Sequence, residues 1–116
     1  MCGITGYWSY DAPALPVSRF QDFTEALAHR GPDGQGIEYF TNPRLYLGHR
    51  RLSIIDVSHR GKQPMSFEDG RYWLTYNGEV YNYLELREEL RSLGHVFRSD
   101  TDSEVILAAY AQWGAA

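Results

Sequence analysis

The residue best equipped for covalent chemistry is Cys2, the only cysteine in the chain, one position behind Met1. Methionine is normally trimmed when the next side chain is small, so Cys2 would become the mature N-terminus and carry a free α-amine beside its thiol. A thiol is the most nucleophilic of the common side chains but is mostly protonated at neutral pH, with an ordinary pKa of ~8.5. An α-amine titrates near ~8 and can accept that proton directly or through a water, the arrangement used by N-terminal nucleophiles. Position alone also fits a cysteine that merely begins a strand.

Four further stretches carry groups suited to binding or polarising a substrate. His29-Arg30-Gly31-Pro32-Asp33-Gly34 is polar, turn-forming and dense in groups that bond backbone, which by itself describes a structural loop. Arg50 and Arg51 are adjacent in a strand-like run, and side chains alternate along a strand, so only one can face a given pocket. Asn77-Gly78-Glu79 reads alone as a tight turn. Asp102 falls in the first turn of a predicted helix, where a carboxylate is favoured by the helix dipole. The four histidines, His29, His49, His59 and His95, have no metal-ligand spacing and read as structural or solvent-facing.

The elements that must position these groups follow from periodicity. Gly3 to Tyr10 alternates Ile4, Gly6, Trp8 and Tyr10 with Gly3, Thr5, Tyr7 and Ser9, which predicts a strand starting beside Cys2. After a turn-rich break at Asp11 to Pro16, Ser18 and Gln21 match a capping box, with Phe20, Phe23 and Leu27 on one helical stripe and an end near Ala28 before Gly31-Pro32. Ile37 to Phe40 and Leu45 to Ile55 read as strands joined at Asn42-Pro43. Met65 and Phe67 are expected to return to the sheet. Asp69-Gly70 signals a hairpin into Tyr72, Leu74 and Tyr76. Tyr83, Leu86, Leu90 and Leu93 predict a helix stopped by Gly94. Val96-Phe97 reads as a short strand. Thr101 and Glu104 form a second capping box for a helix burying Val105, Ile106, Ala109, Tyr110 and Trp113.

Composition narrows the function classes. The 116 residues suit one domain, 1–116, and the formal charge of -4, from eleven basic and fifteen acidic side chains, argues against a nucleic-acid or anionic-membrane surface. A lone cysteine cannot form an internal disulfide, and a catalytic thiol suits a reducing cytoplasm. No apolar run approaches the ~18 residues of a membrane span, and the N-terminus lacks the basic and then apolar regions of a signal peptide.

Taken in order, Cys2-Gly3-Ile4, His29-Arg30-Gly31-Pro32-Asp33, Arg51-Leu52-Ser53-Ile54-Ile55-Asp56, Asn77-Gly78-Glu79-Val80-Tyr81-Asn82 and Ser99-Asp100-Thr101-Asp102-Ser103-Glu104 resemble the N-terminal glutaminase domain of glutamine-hydrolysing asparagine synthetases. These are class II glutamine amidotransferases of the N-terminal nucleophile hydrolase fold. Each motif alone is weak, but five in order over the whole chain are specific. The resemblance implies an α+β fold, a four-layer α/β/β/α sandwich of two mainly antiparallel sheets between helices.

It also implies roles. Cys2 would attack the side-chain amide of L-glutamine and form a thioester, giving glutamate and ammonia. Asn77, through its side-chain amide, and Gly78, through its backbone N–H, would hold the oxyanion. Arg51 would clamp the α-carboxylate, with the α-ammonium held by Asp102 and the Glu79 region and the pocket lined by Leu52, Ser53, Ile54 and Ile55. Arg50 matches no site position. The partner expected in the parent is a C-terminal ATP-dependent synthetase domain that uses the ammonia to make asparagine from aspartate, with a homodimer as an option. ATP and Mg would belong to that domain, leaving no cofactor and no metal in this one.

Family glutaminase domains continue beyond the helix that carries Trp113, so the C-terminal part of the sandwich is expected to be missing here. A fragment of a longer protein is the favoured explanation, over a truncated gene product or a subunit completed by another chain. Two alternatives stand beside the leading reading: the glutaminase domain of another class II amidotransferase, and an inert binding or structural remnant. The Arg51 to Asp56 and Asn77 to Asn82 stretches look closer to asparagine synthetase than to other amidotransferases.

Overall fold

The computed structural model describes residues 1–11, 15–53 and 58–115. Strands and helices are mixed along the chain, which forms two compact units. The first comprises residues 1–53 with the short segments 62–64 and 75–77, and the second holds the remainder.

In the first unit, β1 (Gly3–Ser9), β2 (Gly34–Thr41) and β3 (Arg44–Arg51) form an antiparallel sheet in the order β1-β3-β2. The alternation in β1 sorts into faces as expected: Thr5 lies opposite Gly48 and Tyr7 opposite Tyr46, and α1 (Val17–Glu25) covers this side. Phe20 of α1 is buried with its ring centroid 5.3 Å from that of Tyr46, to which Tyr7 and Tyr39 add ring contacts at 5.2 and 5.1 Å. Aromatic pairs in these offset and edge geometries add stabilisation beyond area burial. Close approach of helix and sheet depends on Gly48, where a Cβ would collide with the hydroxyls of Thr5 and Thr24. Those two hydroxyls are instead bonded to each other at 2.8 Å. On the opposite face Ile4 and Trp8 remain exposed.

The start of α1 departs from expectation. Pro16, not Ser18, is the capping residue, and its carbonyl accepts from Arg19 N and Phe20 N, while no side chain caps the helix. Proline with its fixed φ begins the helix ahead of the serine, which then lies inside the first turn. The α-helical ladder ends at Glu25, and tighter turns carry the chain on to Arg30, so the stop comes before Ala28. β3 ends at Arg51, and Ile54 and Ile55 of the predicted longer strand lie outside the described residues.

In the second unit, β4 (Met65–Phe67) and β5 (Tyr72–Leu74) form a separate two-stranded antiparallel hairpin. Met65 and Phe67 therefore do not rejoin the first sheet. The hairpin turns through Glu68, Asp69 and Gly70, all at positive φ, and the strand ends at Leu74, before Tyr76. Leu90 of α2 (Tyr83–Ser92) packs with Val105 and Ala108 of α3 (Asp102–Trp113), flanked by Phe67, Tyr83, Leu86 and Phe97. Gly94, at φ 101°, stops α2 as expected.

Two expectations fail in this unit. Val96-Phe97 is not a strand: the next backbone donors, Arg98 N and Ser99 N, go to the Glu104 carboxylate at 2.8 Å each rather than to a ladder. The buried face of α3 is turned relative to the predicted one. Leu107 and Ala108 are inside with Val105, whereas Tyr110 and Trp113 are about half exposed at 50% and 44%.

Candidate active site

Cys2 leads directly into β1, and its thiol meets the backbone of the residue that follows β3. Leu52 N–H donates to the sulfur at 3.2 Å, and the thiol lies 3.7 Å from the Leu52 carbonyl. Strand parity adds a second relation. Arg50 pairs with Gly3 and faces α1, where its guanidinium bonds Glu25 and Gln35 and its Nε donates to the Gly31 carbonyl at 2.9 Å. Arg51 therefore projects to the opposite face, the one to which Cys2 and Ile4 belong by alternation. The adjacent arginines divide as expected, with Arg50 committed to structure.

The His29–Asp33 stretch braces this corner. Arg30 Nε donates to the Cys2 carbonyl at 3.1 Å, Asp33 N donates to the Arg51 carbonyl at 2.9 Å, and the Asp33 carboxylate accepts from Ser53 N at 2.8 Å. Gly31 lies flush on β3, where a Cβ would meet the Arg50 carbonyl and the Arg51 nitrogen. This stretch, read from its residue types as a plain loop, positions the backbone on both sides of the thiol. Its partners are backbone atoms, which leave no pattern in residue types; only the family resemblance singled it out.

Asn77 belongs to the same unit, at the end of segment 75–77. That segment is tied to the sheet by Thr75 Oγ1, which donates to the Gly48 carbonyl at 3.1 Å, and by His49, whose Nε2 lies 3.1 Å from the Tyr76 carbonyl. Since a carbonyl only accepts, Nε2 carries the proton and the neutral ring leaves Nδ1 as an acceptor. His49 is 1% exposed, and Nδ1 has no hydrogen-bond partner among the described residues. Burial lowers the imidazole pKa, the Tyr76 carbonyl opposes that shift, and the nearby charge of Arg51 adds to it.

The other expected site residues belong to the second unit. Gly78 and Glu79 are exposed. Asp102 is buried at the start of α3, where its carboxylate accepts from Val80 N at 2.7 Å. The expected capping residue is in place: Thr101 Oγ1 accepts from Glu104 N at 3.4 Å. Glu104 does not close the reciprocal half of a capping box; it reaches Arg98 N, Ser99 N and Ser99 Oγ. Ile54 and Ile55 lie outside the described residues. Among the described residues no group of three or more His, Cys, Asp or Glu could hold a metal ion.

A family model described as glutamine amidotransferase domain matches residues 1–116. The chain belongs to the glutamine amidotransferase domain family. Similar curated proteins include asparagine synthetase [glutamine-hydrolyzing] 1 of Bacillus subtilis (strain 168), 44% identical over 97% of this chain and 18% of the relative. A putative asparagine synthetase [glutamine-hydrolyzing] of Mycobacterium tuberculosis (strain ATCC 25618 / H37Rv) is 39% identical over 98% of this chain and 20% of that protein. Asparagine synthetase [glutamine-hydrolyzing] 1 of Arabidopsis thaliana is 41% identical over 98% of this chain and 19% of that one. This amidotransferase domain thus spans about a fifth of the length of the curated relatives it matches. The resemblance read from the five motifs is borne out at the level of the family.

Proposed function

We propose that this domain hydrolyses L-glutamine to glutamate and ammonia, and that the ammonia serves an ATP-dependent synthesis of asparagine from aspartate in a larger parent enzyme. The observation that carries the reading is the Cys2–Leu52 contact, which sets the chain's one thiol against the end of the strand bearing Arg51. Family membership over residues 1–116 supports it independently.

With Met1 removed, the α-amine of Cys2 takes the thiol proton and the sulfur adds to the amide carbon of glutamine, forming a C–S bond. The carbonyl oxygen becomes an oxyanion, held by the Asn77 side-chain amide and the Gly78 N–H. Loss of one such donor typically costs about 3 kcal/mol of transition-state stabilisation. The amine returns its proton to the leaving nitrogen, the C–N bond breaks, and ammonia departs from a glutamyl thioester. Water then adds to the thioester, the C–S bond breaks, and glutamate leaves with the thiol restored.

Arg51 receives the α-carboxylate in a paired, charge-assisted contact that lysine cannot reproduce. Asp102 and Glu79 serve the α-ammonium, and the backbone from Leu52 through Ser53, Ile54 and Ile55 lines the pocket. No step uses a metal or cofactor in this domain; ATP and Mg act in the synthetase part of the parent. The four-layer α/β/β/α sandwich is the fold we infer for the complete domain. It is supported by α1 covering one sheet face while Ile4 and Trp8 lie exposed on the other. The cytoplasm is the compartment we assign, since it keeps a lone thiol reduced.

The test is glutamate release from L-glutamine by the full gene product. Cys2→Ala is expected to abolish it, and Arg51→Lys to raise KM for glutamine with a smaller effect on kcat. Undiminished release by Cys2→Ala would sink the mechanism.

A further inference from the structure

The backbone of Tyr76, the residue immediately before Asn77, is held on both sides of its Cα by side chains to which neither the residue pattern nor the family resemblance gave a role. Its N–H donates to Gln63 Oε1 at 2.7 Å, and its carbonyl accepts from His49 Nε2 at 3.1 Å. Both holders are buried, Gln63 at 7% exposure and His49 at 1%. Each is also fixed to a different strand. His49 is part of β3, while the Gln63 backbone lies so close to β2 that a Cβ at Gly36 would collide with the Gln63 carbonyl. Thr75 adds a third tether to β3 through the Gly48 carbonyl. A loop residue placed by one contact can swing, whereas a residue bonded at both its N–H and its C=O has the peptide units on either side of its Cα held together, the second of them the one that leads into Asn77.

We propose that Gln63 and His49 are positioning residues for glutamine hydrolysis, acting as a two-sided clamp on the backbone of Tyr76 that fixes where Asn77 stands relative to the sheet leading from Cys2. The inference rests on Asn77 serving as an oxyanion donor. A donor of this kind helps only when it meets the developing charge and not the ground-state carbonyl, so displacing it lowers kcat and leaves substrate binding nearly untouched.

Gln63→Met keeps volume and removes the acceptor; His49→Phe keeps an aromatic ring and removes the donor. In the full gene product each is expected to lower kcat for glutamate release on the order of 10- to 100-fold, the scale of an ångström-sized misplacement. KM for glutamine should hold within about twofold, as expected when only transition-state contacts are lost. Because both act through the backbone of one residue, the double variant should lose less than the product of the two single losses. Gln63→Glu, which retains an oxygen acceptor, should recover most of the loss. Exchange of the Tyr76 amide proton, read without any turnover, should quicken about fivefold or more in Gln63→Met, the loss of roughly one hydrogen bond.

The clamp is overturned if the wild type is active and both single variants keep kcat, if KM rises in step with any fall in kcat, if Gln63→Glu is as poor as Gln63→Met, or if Tyr76 exchange is unchanged. A wild type that releases no glutamate would remove the underlying glutaminase reading, an outcome distinct from all of these.

Discussion

Glu104 offers the sharpest test of how the second unit holds Asp102. The residue is 4% exposed, and its carboxylate accepts from Arg98 N at 2.8 Å, Ser99 N at 2.8 Å and Ser99 Oγ at 2.6 Å. Glu104→Ala strips all of these at once, but the losses are unequal. The Ser99 hydroxyl already lies 2.8 Å from Thr101 Oγ1 and can turn to it. Arg98 N is only partly buried and can recover a water. Ser99 N is buried and has nowhere to go, so it carries the full cost of an unsatisfied donor, about 1–3 kcal/mol. Adding the lost charge-assisted bond to Arg98 brings the expected destabilisation to about 3 kcal/mol. Glu104→Gln keeps one oxygen for Ser99 and sacrifices only the contact to Arg98, so it should cost about 1 kcal/mol. With a urea m-value of about 1.5 kcal/mol/M, within the range for small proteins, the two variants should shift the unfolding midpoint by ~2 M and ~0.7 M. Equal shifts for both variants, or a Glu104→Ala shift below ~0.3 M, would refute the view that the carboxylate acts by housing these two amides.

Two further outcomes follow from the first unit. Gly31→Ala should destabilise by about 1–3 kcal/mol, the usual cost of overpacking, and should also depress glutaminase activity, because the added methyl pushes on the Arg50–Arg51 backbone; thermal unfolding and glutamate release read the two effects separately. His49 should make stability depend on pH. Its folded pKa is lowered from 6.5 by burial, so the unfolded chain takes the proton first as pH falls. The stabilisation is complete above about pH 6.5 and is lost progressively as pH drops from there towards the folded pKa. A midpoint of unfolding that falls over this window in the wild type and flattens in His49→Phe is the expected result.

What the sequence disclosed and what it withheld divide along a physical line. Period and punctuation located β1, the Asp69-Gly70 hairpin, the Gly94 stop and the Thr101 cap, because each depends on the types of neighbouring residues. The opposed faces of Arg50 and Arg51 followed from strand alternation alone. Ser18 misled because the carbonyl of Pro16 had already started the helix. Val96-Phe97 misled because Glu104, several residues on, takes the backbone donors that follow it. Asp33, Gln63 and His49 were invisible as positioning groups for a related reason: each bonds a backbone atom at least 13 positions away. Any residue at the far position presents the same backbone, so no spacing rule can find such pairs. The roles proposed for Asn77, Gly78, Glu79 and Asp102 came from the resemblance and not from pattern.

The account turns on whether the thiol of Cys2, freed at the mature N-terminus, becomes bonded to the glutamyl group during turnover. Mass spectrometry of the full gene product, quenched in acid while turning over L-glutamine and digested, measures this directly. The expected result is a peptide that begins at Cys2 without Met1 and carries a glutamyl adduct, absent from Cys2→Ala and discharged by hydroxylamine. Active enzyme that retains Met1, or that carries the glutamyl adduct on a residue other than Cys2, would contradict it.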